Sequence, residues 1–303
     1  MKKLFFAALG ILALHGLSSA QTVEVHVVKK LIEKTFNFND GYEVNIEGEK
    51  AEVFIETWDQ KVVQIELELI AKHTDKTKAE QGLEAMKYMA QRVKNKIYVR
   101  NYIKEEEANE ALLSARYLVK VPENCPVYLK NYFGQASVSN LSNRLRVNSE
   151  FSQIGLENIQ GTIDVNTRFG DLKGNELNGN VNIQSRRSDI LLTNISGSFD
   201  ITAQYGVLKI YAGPDLADLN LNLEKSELFF YHTAPEKLAY DINSRETELN
   251  IPSNLKMEFQ NAANATRQGH FKPKEEFFAY ITIIAAYSDL TIEKLKEKKP
   301  ITY

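Results

Sequence analysis

Cysteine is almost missing from this chain of 303 residues: Cys125, in VPENCPVYL, is the only one, so no intramolecular disulfide can hold the fold. A small residue between Pro122 and Pro126 reads as packing rather than chemistry. Neither sign of charge is in excess, the formal net charge being -3. That balance gives no electrostatic basis for nucleic acid or an anionic membrane as partner. Beyond the first residues no apolar run approaches the length of a membrane span. Histidine is sparse and scattered, at His15, His26, His73, His232 and His270, and no H-E-x-x-H or Cys/His cluster has metal-ligand spacing. The G-x-S-x-G elbow, the P-loop and the Rossmann glycine fingerprint are lacking too. No cofactor and no metal is expected, and an enzyme would need carboxylates converging from distant segments.

The chain starts MKKLFFAALGILALHGLSSA, with basic residues, a short apolar stretch and a Ser18-x-Ala20 end. This pattern predicts a signal peptide over residues 1–20 and a mature chain from Gln21. The apolar stretch is too short to serve well as a span, so the expectation is a protein exported to the periplasm, the cell surface or the medium.

What the sequence has in abundance is repetition. Phe133, Phe151, Phe169, Arg187 and Tyr205 are spaced 18 residues apart with no insertion. Three residues after each marker stand Ala136, Ile154, Leu172 and Ile190, and five after it Val138, Leu156, Gly174 and Leu192. Further columns hold Leu141, Ile159, Leu177 and Ile195, then Leu145, Ile163, Val181 and Phe199, then Val147, Val165, Ile183 and Ile201. Of these 20 positions 19 are apolar, against 43% for the whole chain, so chance alignment is excluded. Spacings of two residues put pairs of columns on one face of a strand and rule out a helix. Asn143, Gly161, Gly179 and Gly197 recur at a corner where a Cβ would crowd the turn. No repeat can bury its apolar face alone, whereas stacking at about 4.8 Å per rung pairs every backbone group and closes a core. The expected class is all-β, a β-solenoid with 18-residue rungs. After Tyr205 the segment GPDLAD is an insertion, beyond which Leu219, Leu221 and Leu223 resume the alternation.

Upstream, EVNIEGEKAEVFIETW and VVQIELELIAK alternate as early rungs or a capping sheet, which a solenoid end requires. Ala79, Leu83, Met86, Met89, Ala90 and Val93 recur at helical spacing and predict one embedded amphipathic helix over about residues 76–95. KEEEANEA reads as a solvated loop, and NAANATRQGHFKPKEE, residues 261–276, as a projecting loop. The organisation expected is a capping and early-rung region over 21–130, solenoid repeats and C-terminal rungs over 131–292, and a basic tail over 293–303.

The order of these elements resembles the bacterial exported "putative adhesin" family, domains of unknown function with β-strand repeats related to auto-transporter adhesin heads. The resemblance rests on IETWDQKVVQIELELIAK, YLVKVPENCPVYLKNYFGQASVSNLSN, TRFGDLKGNELNGNVNI and AAYSDLTI, and covers residues 30–293. It implies a single-stranded, right-handed β-helix on an exported, non-enzymatic protein, and it transfers no catalytic residue.

Two candidate surfaces follow from the repeat. Outward columns carry Asp164, Asn182 and Asp200, then Asn166 and Gln184, then Arg168 and Arg186, a rigid row suited to a cell-surface polysaccharide or an envelope protein. A solvated sheet must be polar in any case, and Asn and Thr ladders bond along a stack. At the repeat boundary Phe133, Phe151, Phe169 and Tyr205, interrupted by Arg187, could stack on sugar rings or form a packed corner. The alternative is a polysaccharide lyase or glycosidase. Asp164 and Asp200 share a column two rungs apart, about 9.6 Å, near the upper limit for an inverting carboxylate pair.

Overall fold

The computed structural model describes residues 24–104, 110–261, 265–274 and 278–295. The expected leader over 1–20, most of the acidic KEEEANEA loop and the end of the basic tail lie outside them. The described chain is predominantly β, with one α-helix, and its 19 strands are hydrogen-bonded into one connected sheet.

The repeat spacing reappears as parallel strand register. Leu172 pairs with Ile154 on one side and Ile190 on the other, and Ile183 pairs with Val165 and Ile201. Each turn of chain lays down a long segment, such as 163–168, and a shorter one, such as 172–175, joined at a corner. Stacked long segments make the broad part of the connected sheet, hereafter the broad sheet, and stacked short ones its narrow part, the narrow sheet. Ile163, Val165, Leu172 and Leu177 are buried, as are their counterparts in the neighbouring repeats. Alternation along the strand thus becomes one apolar interior. Gly174, the exception in its column, makes room: a Cβ there would come within 2.7 Å of Leu177 and 2.9 Å of Leu192. At the return corner Gly179 has φ +124°, and its Cβ would lie 2.1 Å from the carbonyl oxygen of Gly161, so only glycine fits. The insertion after Tyr205 is absorbed as local register shifts, after which Phe199 pairs with Leu219.

At both ends the order in space departs from the order in sequence. Glu43–Glu49 lies between Val127–Ser139 and Lys96–Ile103, and Ala51–Trp58 lies between Val127–Ser139 and Leu112–Pro122. At the other end Tyr280–Ala286 is inserted between Val207–Glu224 and Ala239–Arg245, and Asp289–Lys294 between Glu227–His232 and Leu249–Asn250. Antiparallel strands finish the sheets: Val62–His73 and His26–Asn37 beyond Leu112–Pro122, and Met86–Val93 beyond Lys96–Ile103. Strand Val127–Ser139 runs through the boundary expected at residue 130, and its buried residues belong to the same core as those on either side.

Two expectations need correction. The helix spans Lys76–Ala85 only, with Asp75 at its N-cap accepting from the backbone of Thr77 and Lys78. Met86–Val93 is a strand, because Lys96–Ile103 would otherwise be an open edge, and Met86, Tyr88 and Ala90 also fit an every-second-residue pattern. Part of the polar stretch 261–276, expected as a projecting loop, is strand as well. Thr266–Phe271 is a strand paired antiparallel with Ala239–Arg245 and with Glu258–Asn261.

Candidate functional site

The outward face of the broad sheet brings the candidate row together. Asn182 is the direct neighbour of Asp164 and Asp200, Gln184 of Asn166 and Thr202, and Arg186 of Arg168 and Gln204. Asn166, Arg168, Gln184 and Arg186, with Thr202 and Gln204, line a shallow polar depression of about 360 Å³. Asp164, Asn182 and Asp200 lie beside it in the same strands and do not line it.

Like charges meet here, since Arg168 and Arg186 are cross-strand partners, and both are exposed. Glu150 offsets Arg168 at 3.7 Å, while among the described residues no carboxylate lies within ion-pair distance of Arg186. Asp164 faces Arg144 at 3.9 Å. Asp164 and Asp200 remain separated by Asn182, and neither lines the neighbouring depression. Among the described residues no group of His, Cys, Asp and Glu could hold a metal ion.

The corner between the two sheets is built differently from a packed edge. Phe133, Phe151, Phe169, Arg187 and Tyr205 all take left-handed backbone, φ 52° to 58°. Bulky L-residues seldom do this. Their side chains are exposed, from 54% at Phe133 to 40% at Tyr205. The rings of Phe151 and Phe169 stack at 4.9 Å, and Arg187 lies 5.5 Å from the Phe169 ring and 5.9 Å from that of Tyr205. Lys225 continues the ladder over Tyr205 at 5.4 Å. Ring faces are therefore taken by neighbours along the stack, and ring edges face outward. A sugar has few free aromatic faces to stack on here.

Beneath the ladder, glycine and serine alternate. Ser152 donates its hydroxyl to the carbonyl of Glu150 and accepts from the Gly134 amide at 3.2 Å; Ser188 does the same for Arg186 and Gly170. A Cβ on Gly134 or Gly170 would fall 2.0 Å from a carbonyl oxygen of the adjacent rung. The dipeptides Phe133-Gly134, Phe151-Ser152, Phe169-Gly170, Arg187-Ser188 and Tyr205-Gly206 are the sequence signal for this corner.

A third surface carries residues that the sequence did not single out. On the outward side of the narrow sheet, Phe54, Gln135, Ser137, Gln153, Gly155 and Lys173 line a cleft of about 240 Å³. Phe54 is brought there because Ala51–Trp58 pairs with the second half of Val127–Ser139, a neighbour 83 residues away at Phe54 and Ser137. Cys125 joins none of these surfaces. It is buried, its thiol is pushed up to about 12 by desolvation, and its Sγ lies 3.5 Å from the Pro126 carbonyl oxygen.

No protein-family model and no curated protein matches the chain. Solved structures resemble it at low identity. A putative adhesin from Bacteroides fragilis is 11% identical over 88% of this chain and 97% of its own, with a TM-score of 0.44. A putative lipid binding protein from Parabacteroides distasonis is 12% identical over 88% and 97%, with a TM-score of 0.39. A putative cell adhesion protein from Clostridium sporogenes is 10% identical over 88% and 100%, with a TM-score of 0.29. Among the described residues no helix is long and apolar enough to cross a membrane.

Proposed function

We propose that this chain is an exported, non-enzymatic binding scaffold, a β-solenoid whose broad sheet presents a polar face to an extended cell-surface glycan. The leader pattern at residues 1–20 supports export. The observation that carries the reading is the register of Asn166 with Gln184 and Thr202, and of Arg168 with Arg186 and Gln204, around one open depression. Hydrogen-bonding side chains repeated at about 4.8 Å on a sheet stand on backbone that is already fixed, so only their rotamers are ordered when a regular polymer binds and less entropy is lost than on a loop. The open carboxylate pair Asp164 and Asp200 supports binding rather than hydrolysis, which needs an acid and a base aimed at one bond.

The test is retention of the full chain on glycan arrays and on isolated envelope fractions. Beside it run one variant with Asp164, Asn182 and Asp200 changed to Ala and another with Asn166, Gln184 and Arg186 changed to Ala. Retention lost in either variant supports the reading. Binding only to an envelope protein would replace the glycan with a protein partner, and release of new reducing ends or unsaturated sugars would make the chain an enzyme.

A further inference from the structure

Gly155 sits in mid-strand on the narrow sheet without a structural reason to be glycine. Its φ is ordinary, and an added Cβ would meet nothing closer than 3.9 Å. Every other glycine within a described strand would bring a Cβ to 2.9 Å or less from a neighbouring atom. Glycine inside a strand loses conformational entropy and packs nothing, so its presence where a side chain would fit leaves space open to a ligand.

The space it opens has shape and chemistry. Phe54, whose ring carries the Arg116 guanidinium 5.6 Å from its centroid, forms one wall with its remaining apolar surface, and Lys173 forms the opposite wall, three strand spacings away, about 14 Å. Ser137 and Gly155 form the floor, and Gln135 and Gln153, direct cross-strand neighbours, set two amides along one side. At about 240 Å³ the cleft is smaller than the roughly 300–1,000 Å³ of pockets that enclose drug-sized molecules, and it suits a single ring. It is not isolated. A larger hollow of about 450 Å³ shares Phe54 and Ser137 with it, and a third, of about 230 Å³, shares Asp171 and Lys173. The three hollows lie side by side across the strands, as a groove that Phe54 and Lys173 divide.

Charge decides the class of polymer. Glu56, Glu66, Asp171 and Asp189 line the groove together with Arg116, Lys120, Lys173 and Lys209, four acids against four bases. Lys120 is already paired with Glu56 at 3.4 Å, and the Asp171 and Asp189 carboxylates accept backbone amides of the next rung. A polyanion finds no field to draw it in. Nor can a peptide strand add to this surface, because the strands across it are hydrogen-bonded on both sides. An apolar ring wall beside two amides and a hydroxyl matches a ring with one C–H face and a rim of hydroxyl groups.

We infer that the narrow-sheet groove is a binding site for a neutral polysaccharide, with one sugar ring seated over Gly155 between Phe54 and Lys173. Sugar hydroxyls exchange hydrogen bonds with the Gln135 and Gln153 amides and with the Ser137 hydroxyl. This site lies on the opposite sheet from the polar row, so separate variants test the two.

The experiment is affinity electrophoresis of the full chain in gels holding soluble neutral glucans, mannans or galactans, with polygalacturonate as the anionic comparison. Gly155→Val fills the floor and adds a strand-favouring side chain, so it should melt at or above the parent temperature while retardation by the neutral polymer falls at least tenfold. Gln153→Ala should weaken it several-fold, and the Asp164, Asn182 and Asp200 variant should leave it unchanged. Retardation unchanged in Gly155→Val, confined to polygalacturonate, or absent with every neutral polymer would overturn the assignment. Loss in the broad-sheet variant alone would overturn it too while leaving the scaffold reading in place.

Discussion

The ring of Phe151 lies parallel to that of Phe133, 1° between their planes and 4.9 Å between centroids, while both backbones hold a positive φ. Two opposing effects meet in this pair. Left-handed backbone costs an L-residue roughly 1–2 kcal/mol. Each stacked aromatic pair returns about 0.5–1.5 kcal/mol, and Phe151 stacks on both sides.

Replacing Phe151 therefore separates the two. Phe151→Gly removes the strain together with the stacking and should destabilise by about 1 kcal/mol. Phe151→Val keeps the strain, loses the stacking and adds a branched Cβ, for a loss of about 2–4 kcal/mol. Urea unfolding gives the order, and a valine variant as stable as the parent would refute the left-handed corner.

Two glycines only 15 residues apart should behave in opposite ways. Gly170→Ala would push a Cβ to 2.0 Å from the Ser152 carbonyl oxygen and should cost more than about 3 kcal/mol, since backbone must shift. Gly155→Ala meets open space and should be neutral or stabilising by about 0.5–1 kcal/mol. Thermal melts of both variants check the contrast, which fails if they melt alike.

Val165 is buried, as are Ile163 and Thr167 on either side of it; its partner across the rung is Ile183, and Val147 holds the same column 18 residues earlier. Val165→Asp puts a carboxyl with no partner among them and should cost at least about 3 kcal/mol, as should Ile183→Asp. Circular dichroism that matches the parent in spectrum and melting would mean that this register is wrong.

His232 should make stability depend on pH. It is buried, and its Nδ1 accepts from the Ala234 amide at 3.0 Å, which requires that nitrogen to be unprotonated. Desolvation lowers its pKa below the ordinary histidine value of 6.5. The unfolded chain then binds the proton more readily than the folded one. Stability is held above pH 6.5 and falls as pH drops through that value toward the lower folded pKa. In His232→Gln that part of the pH dependence should flatten between pH 7 and 5; an unchanged profile would assign it to other groups.

Much of the fold was legible because the repeat carries no insertion from Phe133 to Tyr205, so one set of inward columns fixes strand register rung by rung. The same columns placed Asn166, Gln184, Arg168 and Arg186 side by side. Met86–Val93 misled because its apolar residues satisfy helical and strand spacing at once, and only the need of Lys96–Ile103 for a partner decides between them. The narrow-sheet cleft was hidden for a different reason. Phe54 and Gly155 belong to segments that no common spacing relates, and a glycine's significance there depends on the empty space around it, which has no signature in sequence.

The inserted rung of Tyr280–Ala286 and Asp289–Lys294 governs the order of assembly. Strands Ala239–Arg245 and Leu249–Asn250 come earlier in the chain than their parallel partners toward the body of the protein. Until those partners dock, 218–224 and 227–232 present unpaired edges, so the stack cannot close in simple chain order. Tyr280–Ala286 and Asp289–Lys294 thus act as a keystone, and a chain interrupted near residue 278 would expose an open edge in mid-stack.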